Sequence, residues 1–227
     1  MAKDSNLPNF SNKEGEIILS SAYMAPISYY KMLTGSDQVC MESMESYQKQ
    51  SYRNRCNIAA ANGMMTLSIP VESRGGEKVP IKDVKISRHN DWQIQHWRSL
   101  ASAYQSTPFF EYFEDDIRPV YEKKWVFLWD FNWEIMQKIL HLLDFKPNIL
   151  IAEKYRMTKG ENDYRDKIHP KKESIVECAT YYQVFEHKYG FLPDLSIIDL
   201  LFNMGNEAIL ILNKTTFKKW KPITPFL

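Results

Sequence analysis

A chain of 227 residues, 44% hydrophobic and 14% aromatic, can bury a full core as one large domain, with or without a small appendage. Its 29 Lys and Arg nearly cancel its 28 Asp and Glu, which excludes a broad basic footprint for nucleic acid or an acidic membrane and makes any charge-driven site local. No apolar run approaches the roughly 20 residues needed to span a bilayer, and the polar start Met1-Ala2-Lys3-Asp4-Ser5-Asn6 lacks the apolar centre of a signal peptide, so a cytoplasmic address is expected. Cys40, Cys56 and Cys178 are odd in number and far apart, as expected of reduced thiols rather than a disulfide framework or a zinc site.

Residues 1–14 read as a loose polar leader, and residues 15–227 as a single α/β domain. The apolar run Glu16-Ile17-Ile18-Leu19-Ser20 predicts a first strand. Pro26 then opens a short helix carrying Tyr29, Tyr30, Met32 and Leu33, which Gly35 ends. Asp37 to Met41 predicts a second strand, so the start is a strand-helix-strand unit with a parallel pair, of the kind that places ligands at strand carboxyl ends. Asn62-Gly63 predicts a hairpin turn, followed by a strand from Met64 to Val71, and Val84-Lys85-Ile86 predicts a short edge strand. A helical segment follows at about residues 91–145. Asp91 caps a helix bearing Trp92 and His96, a second helix runs from Phe110 to Tyr121 with Pro119 near its end, and a longer one carries Leu128, Phe131, Ile135, Ile139 and Leu142 at core spacing. Asn148 to Ala152 and Tyr181 to Phe185 predict strands, and Ser196 to Asn203 a helix that stops at Gly205. The fold class is therefore α/β, with a mixed, partly parallel sheet flanked by helices.

The densest chemistry lies in Tyr47-Gln48-Lys49-Gln50-Ser51-Tyr52-Arg53-Asn54-Arg55. If this stretch is extended, Lys49, Arg53 and Arg55 share one face and Tyr52 and Asn54 the other. Such a cationic face suits phosphate or carboxylate, because Arg offers a rigid donor fork and Lys a mobile charge. The competing reading is a charged edge strand that blocks edge-to-edge pairing. A second cationic stretch, the loop from Glu161 to Lys172, is either another anion contact or solvated surface. His96 is the best acid/base candidate, weighed against a satisfied core histidine. Ser196 and Asp199 have the spacing of a helix capping box, weighed against Asp199 as a buried carboxylate near a ligand. Walker, Gly-x-Gly-x-x-Gly, Gly-x-Ser-x-Gly and His-Glu-x-x-His signatures are missing, so the residues name no reaction and assign no cofactor.

Tyr23 with Pro26 and Tyr29-Tyr30, the Lys49 to Arg55 stretch, Thr66 to Val71, Trp92 with His96, and the run Leu195 to Gly205 together resemble the WbqC-like family over most of residues 15–212. That resemblance implies a cytoplasmic bacterial protein encoded beside surface-polysaccharide genes. It also implies a transferase that adds an amino acid or acyl group to a nucleotide-activated sugar. In such an enzyme Lys49, Arg53 and Arg55 would bind the anionic part, Tyr23 and Asn54 would orient the substrate and His96 would move a proton. The alternative is a non-catalytic binding or assembly protein that grips an acidic partner with the same basic stretch. Ser20-Ser21 in place of Gln-Pro, and the charged Glu161 to Lys172 loop in place of a Gly-rich segment, depart from the family pattern. The start is also similar to the opening of nucleotidylyltransferase-type folds, but Ser21-Ala22-Tyr23-Met24 carries no histidine, which argues against that chemistry.

Overall fold

The computed structural model describes residues 16–72, 78–88, 91–156 and 162–218. The leader expected at residues 1–14 lies outside them. Strand β1 (Glu16–Ser20) leads through a turn into helix α1 (Ile27–Gly35), with Pro26 holding φ at −68° just before the first helical residue. Strand β2 (Gln38–Glu42) returns parallel to β1, pairing Ile18 with Cys40. Strands β3 (Arg55–Ala60) and β4 (Gly63–Ser68) form an antiparallel hairpin around Ala61 and Asn62, and Gly63 supplies the φ of 98° that the reversal needs. Helices α2 (Trp92–Tyr104), α3 (Phe110–Glu122) and α4 (Leu128–Leu142) follow. Strand β5 (Ile149–Ala152) completes a parallel sheet in the order β1-β2-β5. The chain closes with β6 (Val176–Glu177), α5 (Glu186–Tyr189), α6 (Ile197–Met204), α7 (Ala208–Lys214) and β7 (Thr216–Phe217), the last pairing with β6.

Alternation along β1 and β2 sends Ile17, Leu19, Val39 and Met41 into the main core, where Tyr29, Tyr30, Met32 and Leu33 of α1 also lie. Ile18, Cys40 and Ala152 point to the other face and form a small separate cluster. Helix α4 buries Leu128, Phe131, Ile135 and Ile139, each contributing about 1.5–3 kcal/mol by removal from water. Pro119 stays inside α3 because it sits on the exposed face near the helix end.

Four sequence expectations are corrected. Residues 49–54 are turns, with φ of 58° at Gln50 and a bond from Asn54 N to Ser51 O, so no extended strip forms before Arg55. Val84 to Ile86 makes only isolated bridges, Val71 to Ile86 and Lys85 to Phe127. Tyr181 to Phe185 is irregular, since its side chains are drawn to a buried carboxylate instead of a neighbouring strand. That carboxylate is Asp199, so the capping box is only half made: Ser196 Oγ accepts from Ile198 N, while the Asp199 side chain turns inward.

Asp199 is fully buried and accepts from Tyr104 Oη at 2.9 Å, Tyr181 Oη at 2.6 Å and Gln183 Nε2 at 3.2 Å. No cation pairs with it among the described residues. Burial pushes its carboxyl up from the ordinary range, and the three donors pull it back. Replacing Asp199 with Leu strands these donors in the core, each at about 1–3 kcal/mol. Urea unfolding of Asp199→Leu is expected to show at least about 3 kcal/mol of lost stability at unchanged m-value. A loss below about 1 kcal/mol would show that the cluster does not hold the fold.

Candidate functional site

Strands β1 and β2 end side by side at Ser20 and Glu42, and a group of buried charges lies beyond their carboxyl ends. Glu42 is fully buried and accepts from Met44 N at 2.8 Å and Arg156 N at 2.9 Å, with Arg165 Nη1 3.7 Å away. Arg53, 1% exposed, grips Glu45 in a fork of 2.8 and 2.5 Å from Nε and Nη2. Arg165 grips Asp163 in the same way, at 2.9 and 2.5 Å, and lies over the Tyr155 ring. Burial pushes the Glu45 carboxyl up despite Arg53. At Asp163 burial pushes up too, but the Arg165 bonds outweigh it and hold the carboxyl below its usual range. Arg165 Nη1 has no hydrogen-bond acceptor.

Beside this group a small cleft of about 10 Å³, roughly the space of one water, lies under the start of α1. Ser28, Tyr52, Lys167, His169, Lys172 and Asp194 line it. Asp194 Oδ1 accepts from Ser28 N at 2.7 Å, so the chain's own carboxylate sits at the positive end of α1. Its φ of 55° places it there, and burial pushes its carboxyl up against the bonds from Ser174 and Ser28. Burial, then Lys172, Arg53 and Lys171, lowers the His169 imidazole. The neighbouring Glu173 carboxylate binds Lys218 at 2.7 Å.

The six residues singled out in the sequence do not converge. Tyr23 and His96 meet in the core, with Tyr23 Oη 2.9 Å from His96 Nδ1 and 2.7 Å from Tyr121 Oη. The imidazole is buried, and the nearby Ser68 backbone acts on it in the direction that favours its charged form. Burial, then Tyr121, raises the Tyr23 phenol well above its ordinary value. Asn54 Nδ2 donates to the Ile69 carbonyl at 2.9 Å and closes the base of the β3-β4 hairpin. Lys49 is exposed, and Arg55 is half-buried with an unpartnered Nε. None of these six residues lines the cleft, and the Arg53 charge reaches it only by lowering His169. The sequence reading named the Glu161 to Lys172 loop but missed Asp194 and Glu45, whose partners lie far along the chain or in a turn without a signature.

His96 also makes the fold sensitive to pH. Burial holds its imidazole at about 4 rather than 6.5. A value lowered by folding means that protons favour the unfolded chain. This stability is whole above about pH 6.5 and is lost as pH falls, by about 3 kcal/mol near pH 4. Urea midpoints measured at about pH 7 and about pH 4.5 are expected to fall further in the parent than in His96→Gln. Equal falls would show that His96 is not held neutral.

A family model described as the WbqC-like protein family matches residues 21–174. A protein of Mycobacterium tuberculosis strain H37Rv, described as uncharacterized protein Rv1507c, is 24% identical over 218 residues, covering 84% of this chain and 94% of that protein. No solved structure matches. The buried arginines, the Tyr23 and His96 pair and the charged loop through Lys172 all fall inside the matched stretch, and the chain belongs to the WbqC-like protein family.

Proposed function

We propose that this protein is a group transferase acting on a nucleotide-activated sugar in bacterial surface-polysaccharide synthesis, with an amino acid or acyl group as the moiety moved. The observation that carries this reading is the cation-lined cleft at the carboxyl end of the parallel strands, where open α/β sheets take their ligands. The reaction class comes from the family resemblance. Lys167 and Lys172 take the phosphates, with His169 as a neutral donor beside them, and because the cleft as it stands has room for about one water, Asp194 must leave the start of α1 to admit them. Arg53 and Glu45 hold the 49–54 turns against the loop that carries His169, and Arg55 and Lys49 extend the cationic surface toward the substrate. Tyr23, Asn54 and His96 act from behind, by fixing the core and the hairpin on which the cleft rests.

The engaged state of His96 favours a second reading, a binding or assembly protein without its own chemistry. Thermal unfolding against nucleotides, nucleotide sugars, acyl carriers and amino acids separates the two. A ligand at about 100 times its Kd adds about 2.7 kcal/mol of stability. A nucleotide sugar is expected to raise the Tm of the parent but not of Lys167→Ala/Lys172→Ala, and adding the donor should increase the mass of the sugar. Equal shifts in both proteins would remove the cleft as the site. A silent panel would leave the binding-protein reading.

A further inference from the structure

A second cavity, of about 430 Å³, lies away from the charged sheet end, between the start of α3 and the junction of α6 with α7. That is within the size range of small-molecule sites, roughly 300–1,000 Å³. Phe109, Tyr112, Phe113 and Met204 form its walls, and exposed Asn206 and Glu207 stand at its edge. The rings meet at different inclinations. Tyr112 stands edge-on to Phe113, with centroids 4.9 Å apart at 84°, while Phe109 lies 6.4 Å from Phe113 at 32°. The backbone is shaped to keep the Phe109 wall in place: Gly205 has φ +56°, and a Cβ there would lie 2.5 Å from the Phe109 ring.

Among the described residues, the only charged group lining this cavity is the Glu207 carboxylate. Glu111 and Asp115 are exposed on α3, whereas Arg118 is drawn to Glu114 at 3.7 Å and Glu122 at 2.8 Å. The starts of α3 and α7 oppose this negative potential, because each carries about half a positive charge. Glu111 lies in the first turn of α3 and Glu207 immediately precedes α7, and these two carboxylates outweigh the two half-charges, so the balance at the cavity stays negative. Aromatic rings, a polarisable thioether and a carboxylate suit a cation with an apolar body.

We propose that this cavity binds a small organic ammonium, with Tyr112 and Phe109 contacting the alkyl groups around the charge and Glu207 neutralising it. The site does not depend on the transferase reading, since it shares no residue with the cationic cleft.

Isothermal titration of the full chain with choline, and with the dimethylbutanol in which carbon replaces the ammonium nitrogen, tests the assignment. Choline is expected to bind saturably and the uncharged isostere at least about tenfold more weakly. Glu207→Gln and Tyr112→Ala should each weaken choline binding. Tyr112 is 71% exposed, so its replacement leaves the fold intact, which thermal unfolding verifies. Equal affinity for choline and its isostere, no saturable choline binding, or unchanged binding in both variants would each overturn the proposal.

Discussion

A carboxylate buried away from solvent, with no cation beside it among the described residues, must find donors or lose its charge, and at Asp199 that constraint ties together elements far apart in the chain. Tyr104 reaches it from α2, Tyr181 and Gln183 reach it from an irregular segment, and Asp199 itself lies on α6. Tyr104 Oη also accepts from Ala59 N, which ties the β3-β4 hairpin to the same point. The segment at 181–185 therefore gives up strand geometry: its polar side chains satisfy the carboxylate, and Gln183 also bonds to Leu192 in both directions. Asn203 Nδ2 closes onto the Asp199 carbonyl one turn later.

The sheet end follows a different logic. Glu42 and Glu45 are buried where α/β sheets usually present a ligand site, and desolvating them is costly unless cations and amides replace water. Arg53 supplies that replacement to Glu45 through a two-pronged bond that a lysine could not make, while Glu42 takes the backbone amides of Met44 and Arg156 and has Arg165 Nη1 3.7 Å away. Arg53, expected to face a substrate, is thus turned inward, while Arg55 stays half-buried and Lys49 exposed. The positive charge at the cleft comes from Lys167 and Lys172, on the loop opposite α1, with the lowered His169 imidazole between them.

Tyr23 and His96 show how one pair of side chains can link distant elements. Tyr23 follows β1 and His96 sits on α2, 73 residues apart, yet they share a hydrogen bond at 2.9 Å and stack with ring centroids 5.6 Å apart. Asn132 on α4 adds a second link, bonding Ser21 Oγ and the Arg53 carbonyl. These contacts hold the helical layer against the turn between β1 and α1, and so set the shape of the ground on which the cleft stands.

Much of the architecture was legible locally. Alternation in β1 and β2, Pro26 before α1, Asn62-Gly63 at the hairpin and the three- and four-residue spacing in α4 each act over a few residues, so the chain alone determined those elements and the α/β class. The same local pattern misread residues 47–55, because charge alternation looks alike in a strand and in turns, and only the pull of Glu45 on Arg53 and the Tyr23 N bond to Tyr52 O decide between them. The inward turn of Asp199, the burial of His96 and the placing of Asp194 at α1 depend on partners as many as 166 residues away. Sequence determined which elements exist and which charges are available. Tertiary structure decided which of those charges are spent on one another, because desolvation and pairing are settled only when the elements pack.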